Sequence, residues 1–196
     1  MTRYDETTAL IVVDVQNDFA HPDGSLHIPD GEAVVEVANR EIEAARAAGA
    51  PVFYTQDWHP PRTPHFDIDG GTWPVHCVQD TWGAQLHADL RVDGPVVQKG
   101  VDGGDGYSGF SVRDPVSGQE SATRLGRLLD EAGVQRVVVV GLAGDVCVKA
   151  TALDARKLGY EVVLPLAATR FVEVEEGEAD RAIGEVEAAG VEVVPA

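Results

Sequence analysis

The chain has 196 residues, 44% hydrophobic and 24% charged, the balance of an ordinary globular protein with a full core. Its 33 acidic and 15 basic side chains give a formal charge of −18, which argues against a polyanionic nucleic acid or an anionic membrane surface as partner. No apolar run reaches the ~20 residues of a spanning helix, and two cysteines, Cys77 and Cys147, are too few for a disulfide scaffold. No signal-like segment precedes the first strand pattern, so the expectation is a cytoplasmic protein with reduced thiols.

In chain order, "ALIVVDV" (9–15) reads as a buried strand, followed by a helical pattern over 31–50 that runs out at Gly49. "PVFYTQD" (51–57) is a second strand. The stretch 58–94 is rich in proline and glycine and has no periodicity, a loop length that usually carries function. "PVVQK" (95–99) is a third strand. A helix is expected over 121–133, starting at a cap-like Ser121 and ending at Gly133. "RVVVVG" (136–141) is a strand, 145–159 a helix from Asp145 to Gly159, "YEVVLP" (160–165) a strand, 175–190 a helix, and "VEVV" (191–194) a last strand. Apolar runs alternating with helices predict a three-layer α/β fold: a doubly wound, mainly parallel six-stranded sheet with helices on both faces. Neither a repeat nor a second domain is visible, so residues 1–196 are expected to form one domain.

Open parallel sheets bind ligands beyond the carboxyl ends of their strands. Asp14, Asp57 and Lys99 each close a strand, and Cys147 lies in the turn after the fourth. Cys147 reads either as a small buried hydrophobe or as a nucleophile whose pKa is lowered by a helix N-terminus and a nearby lysine. Asp14 reads either as a structural partner of Lys99 or as a general acid/base. "GLAGD" (141–145) is small enough to turn backbone N–H groups toward an oxyanion. Asp18 is taken as a loop or capping residue.

The stretch "TQDWHPPRTPHF" (55–66) poses a separate question. Asp57 and His59 are two apart and share one side of an extended backbone. With His65 and His76 they make either a site for Zn, Fe or Mn or a solvated loop with scattered histidines. Cys77 is read as a buried structural thiol. Phe19, Trp58, Trp73 and Tyr107 could wall a pocket for a flat ring, with core packing as the alternative. His21, His27 and His87 are read as surface or loop residues.

"ALIVVDVQNDF", "QDWHPP", "WPVHCVQDTWGAQLH", "QKG", "YSGF" and "GLAGDVCVKATALDA" together resemble the nicotinamidase/pyrazinamidase branch of the isochorismatase-like cysteine hydrolases, in order and over nearly the whole chain. The resemblance implies a catalytic set of Asp14, Lys99 and Cys147. It implies one divalent metal (Zn, Fe or Mn) on Asp57, His59 and His76, with His65 an additional ligand. It implies a cis Leu142–Ala143 peptide, an oxyanion hole of the Ala143 and Cys147 N–H groups, and pocket positions at Phe19, Trp73 and Tyr107. The implied reaction is hydrolysis of nicotinamide to nicotinate and ammonia through a cysteine thioester, with the metal holding the ring nitrogen. The alternatives are another small carboxamide as substrate, a metallohydrolase in which the metal activates water, and a non-enzymatic binding module. Homo-oligomers are compatible with the family. Two departures stand out: Gly144 replaces a usual threonine, and "QKGVDGGDGYSGF" is unusually rich in glycine.

Overall fold

The β-branched runs form the strands. The computed structural model describes residues 2–196. Its elements are β1 (Thr8–Val13), α1 (Asn17–Ala20), α2 (Ala33–Ala47), β2 (Val52–Asp57), β3 (Val96–Lys99), β4 (Ser111–Arg113), β5 (Glu120–Ala122), α3 (Leu125–Glu131), β6 (Arg136–Gly141), α4 (Lys149–Lys157), β7 (Glu161–Pro165), α5 (Glu178–Ala188) and β8 (Glu192–Val194). The main sheet has six strands in the order β3-β2-β1-β6-β7-β8. Every pairing in it is parallel, with Leu10 opposite both Val52 and Val138.

Alternation along buried strands divides the core in two. Leu10, Val12, Val138 and Val140 face α2, meeting Val34, Ala38 and Ile42. Ala9, Ile11, Val13, Val137 and Val139 face the other way, against Leu125 and Leu129 of α3, Ala152 and Ala155 of α4, and Val186 of α5. Helices on both faces explain why the strands read as continuous apolar runs. The chain order reverses between β1 and β6, so the crevice at their carboxyl ends is the switch point where such sheets bind ligands. Among the described residues, no helix is long and apolar enough to cross a membrane.

Three local expectations are corrected. Ser121 does not cap a helix; it lies in β5, which pairs antiparallel with β4 in a small separate hairpin. α3 starts four residues later, and the Leu125 N–H donates to Thr123 Oγ1 at 3.1 Å. Asp145 does not cap the helix after β6 either: its carboxylate accepts the Val172 and Glu173 N–H groups, at 3.0 and 2.8 Å. The glycine endings are as expected, with Gly49, Gly133, Gly159 and Gly190 all at positive φ just past their helices.

Candidate active site

Four strands deliver the reactive side chains. β1 ends at Val13 and the backbone turns sharply at Asp14, whose φ of 48° is rare outside glycine and typical of functional sites. That turn buries the Asp14 carboxyl fully. Asp57 and Lys99 end β2 and β3 directly opposite one another in register. The end of β2 is pinned by Gln16, which donates to Asp57 O at 2.7 Å and accepts the Asp57 N–H at 2.8 Å. Cys147 lies in a π-helical turn, Gly144–Val148, between β6 and α4. The Leu142–Ala143 peptide is cis, and among the described residues the Ala143 N–H has no hydrogen-bond partner.

Lys99 is the hub. Its Nζ donates to Asp57 Oδ1 at 2.5 Å, to the Gly106 carbonyl, and to Cys147 Sγ at 3.7 Å. Asp14 Oδ2 lies 2.7 Å from the same nitrogen, an ion pair by distance. The other Asp14 oxygen accepts the Thr55 hydroxyl at 2.6 Å. Ligand atoms of Asp14, Asp57 and Cys147 all lie within 4.8 Å of one another.

Burial sets the electrostatics. It pushes the Asp14 carboxyl up to about 6, against the pull of Lys99. Burial opposes ionisation of Asp57 too, but Lys99 and His59 outweigh it and hold that carboxyl below the usual range. Burial disfavours the Lys99 ammonium, yet Asp14 and Asp57 more than compensate, so its pKa stands well above the ordinary value. The expectation of a lowered Cys147 pKa is corrected. Burial raises the thiol well above its ordinary value, and the opposing effect of Lys99 is smaller. The resting sulfur therefore carries its proton.

Beside this set, ligand atoms of His59, His65 and His76 lie within 4.8 Å of one another, all buried. The His59 and His65 rings stack with centroids 4.6 Å apart. His76 Nδ1 donates to the Pro74 carbonyl at 2.6 Å, and His65 Nδ1 donates to Asp105 Oδ1 at 2.7 Å, which leaves each ring Nε2 as the lone-pair donor. Both ring nitrogens of His59 are buried without a partner. Burial lowers the His65 pKa and takes that of His76 down to about 4, so both are neutral at pH 7, the ligating form. Three buried imidazoles with unfilled ring nitrogens fit a divalent metal ion. Asp57 straddles the two groups: one oxygen is on Lys99 and the other lies 3.8 Å from His59 Nε2.

The two groups share one pocket. Phe19, Trp73, Tyr107 and Ala143 line it, with Cys147, Asp57, His65 and His76. Trp73 Nε1 donates to the Tyr107 hydroxyl at 3.0 Å, tying two walls together. Trp58 is not a wall; it packs against the α2-side core. Cys77 is fully buried; Asp18, which lies in α1 rather than in a loop, accepts the Cys77 N–H at 2.7 Å and the Ser25 N–H at 3.0 Å. His21, His27 and His87 are partly exposed.

Sequence reasoning missed the apolar wall of Leu26, Ile28, Val146 and Val172, which comes from loops with no local signature. It also missed Thr55 and Asp105. Thr55 had a signal, since it lies two residues before Asp57 and so shares its strand face.

A switch-point pocket holding a buried thiol, amine and carboxylate set beside a histidine cluster has the parts of a hydrolase that works through a cysteine. The family model for the Isochorismatase domain matches residues 8–196. Nicotinamidase of Escherichia coli (strain K12) is 38% identical over 201 residues, covering 93% of this chain and 92% of that protein. Pyrazinamidase of Pyrococcus horikoshii, solved in complex with zinc, has a TM-score of 0.85 at 37% identity, covering 97% of this chain and 99% of its own. PnC1 from L. infantum, in complex with nicotinate, has a TM-score of 0.89 at 38% identity, covering 99% of this chain and 96% of its own. The chain belongs to the isochorismatase family, on its nicotinamidase branch.

Proposed function

We propose that this protein hydrolyses nicotinamide, and pyrazinamide-like analogues, to the acid and ammonia through a thioester on Cys147. The observation that carries this reading is the buried Asp14 carboxyl and the Cys147 thiol meeting on one ammonium, with Asp14 Oδ2 2.7 Å and Cys147 Sγ 3.7 Å from Lys99 Nζ. The names of the relatives, nicotinamidase and pyrazinamidase, and the nicotinate in one of them support the choice of substrate.

Asp57, His59, His65 and His76 would hold one divalent ion, with zinc, iron and manganese all suited to the donors. When bound, that ion supplies a Lewis-acidic position for the pyridine nitrogen. Phe19, Trp73 and Tyr107 flank the flat ring, and the carboxamide faces Cys147, so binding places the reacting atoms together. Asp14 accepts the thiol proton while sulfur bonds to the amide carbon. Lys99 donates to Sγ and stabilises the thiolate as it forms. The Ala143 and Cys147 N–H groups take the oxyanion. Asp14 then delivers its proton to the departing nitrogen as the carbon–nitrogen bond breaks, releasing ammonia. Water adds to the thioester with Asp14 again accepting a proton. The sulfur leaves, recovers that proton, and nicotinate departs.

On this reading residues 1–196 are one hydrolase domain, cytoplasmic, serving pyridine nucleotide salvage. Both cysteines are free, in keeping with a reducing compartment. The test is ammonia release from nicotinamide by the wild type and by Cys147→Ala: the variant is expected to be inactive, and equal rates would remove Cys147 as nucleophile.

A further inference from the structure

The reaction accounts for Lys99 and Tyr107 in the glycine-rich stretch but leaves Asp105, between them, without a role. Asp105 is buried, at 9% exposure, and accepts the His65 Nδ1–H at 2.7 Å, the only hydrogen bond of that ring among the described residues. An ionised carboxylate only accepts, so the proton must lie on His65 Nδ1 and the lone pair on Nε2.

The backbone of Asp105 is anchored. Its N–H donates to Arg113 O at 2.7 Å, and its carbonyl accepts the Arg113 N–H at 3.3 Å, docking it on the β4–β5 hairpin. The two residues that follow reach the rest of the site: Gly106 O accepts from Lys99, and the Tyr107 hydroxyl accepts from Trp73. The strap lies so close that a Cβ on Gly106 would sit 2.8 Å from Asp57 Oδ1, which explains the glycine beside Asp105. His65 itself comes from the long loop before β3 and belongs to no strand of the main sheet.

We propose that Asp105 is a positioning residue of the metal site, fixing the tautomer and orientation of His65 so that Nε2 is the ligating nitrogen. The inference rests on the reading of His65 as a ligand. It gives the small hairpin a purpose: β4 anchors the carboxylate that aims a histidine from a loop lacking sheet support. Carboxylate–histidine pairs of this kind fix ring orientation and raise ligand basicity, and their loss costs about 10–100-fold in metal affinity.

The test measures zinc affinity of the metal-free full chain by competition with a chromophoric chelator, and the absorption spectrum with cobalt(II). The variants are Asp105→Ala, Asp105→Asn, His65→Ala and the Asp105→Ala/His65→Ala double. Asp105→Ala is expected to lose about 10–100-fold in zinc affinity and to shift the cobalt spectrum. Asp105→Asn keeps an acceptor without the charge and should lose less. The double variant should bind no more weakly than His65→Ala alone, because Asp105 acts through that ring. If melting of the metal-free proteins shows that Asp105→Ala does not fold, Asp105→Asn decides, with a several-fold loss expected. Wild-type affinity in the Asp105 variants, with His65→Ala weakened, would overturn the proposal, as would losses that add in the double. Wild-type affinity in His65→Ala would instead remove His65 as a ligand, and the inference with it.

Discussion

Asp14 Oδ2 lies 2.7 Å from Lys99 Nζ, and the same buried ammonium reaches Asp57, the Gly106 carbonyl and Cys147. Lys99 thus ties two carboxylates and a thiol into one buried charged group. Removing one partner from a buried ion group is strongly destabilising, since it strands the others. Lys99→Met is therefore expected to cost about 3–5 kcal/mol in chemical denaturation and to abolish turnover. Adding Asp14→Asn to it should recover part of the stability, because one stranded carboxylate is gone, but none of the activity. A Lys99→Met protein as stable as the wild type would show that the group is not electrostatically coupled.

The pH dependence follows from Asp14. It must be ionised to accept the thiol proton, and burial raises its carboxyl to about 6. The kcat/KM of the free enzyme should therefore climb as pH rises toward about 6 and level off above it. Stability should run the opposite way. Between 3.8, the ordinary value, and about 6 the folded protein holds a proton that the unfolded chain has lost. Stability from this group therefore falls as pH rises through that window, by at most about 1.4 kcal/mol per pH unit. The depressed Asp57 carboxyl gains its stabilisation at lower pH and does not mask the slope. Denaturation curves for Asp14→Asn should lack this component, and a slope unchanged in that variant would assign it elsewhere.

If the histidine cluster seats the ring nitrogen, nicotinamide should be preferred over benzamide, which has the same carboxamide and no ring nitrogen. Chelation, or His59→Ala, should lower kcat/KM for nicotinamide by orders of magnitude and bring the ratio of the two substrates toward one. A preference that survives metal removal would mean that the aromatic walls alone select the ring.

Gly144 stands where the family resemblance implies threonine, and the packing around it accounts for the glycine. A Cβ at Gly144 would lie 2.6–2.9 Å from the Phe171 ring. Phe171 precedes the segment that Asp145 clamps, and Val172 borders the pocket. Gly144→Thr is expected to destabilise by about 1–3 kcal/mol, as overpacking does, and to reduce turnover by displacing the nucleophile turn. Phe171→Ala added to it should restore much of both. Additive losses in the double variant would break the proposed pairing.

Much of this site was legible in the sequence because a parallel sheet puts its strand ends on one edge. Four β-branched runs, each followed by a reactive residue, were enough to bring Asp14, Asp57, Lys99 and Cys147 together. Alternation placed Asp57 and His59 on one side, and the same rule, carried one residue further, turns Trp58 away from the pocket. What could not be read depends on long-range contacts. β4 and β5 are three-residue strands, half-buried or exposed, held by their ladder and without apolar patterning. Asp145 and Asp105 look like a helix cap and a loop residue until the segments 27 and 40 positions away are folded against them. The Cys147 pKa was misjudged because the sequence shows the neighbouring lysine and the following helix but not how deeply the sulfur is buried.

The most direct test of the mechanism is intact-mass spectrometry of the protein acid-quenched during turnover of nicotinamide or a slower analogue. The account predicts a species heavier by one acyl group, lost on hydroxylamine treatment, mapping to the peptide that contains Cys147 and absent in Cys147→Ala. An enzyme that releases ammonia with no acyl adduct at any quench time, and keeps its rate when Cys147 is replaced, would contradict it and leave direct attack by water as the chemistry of the pocket.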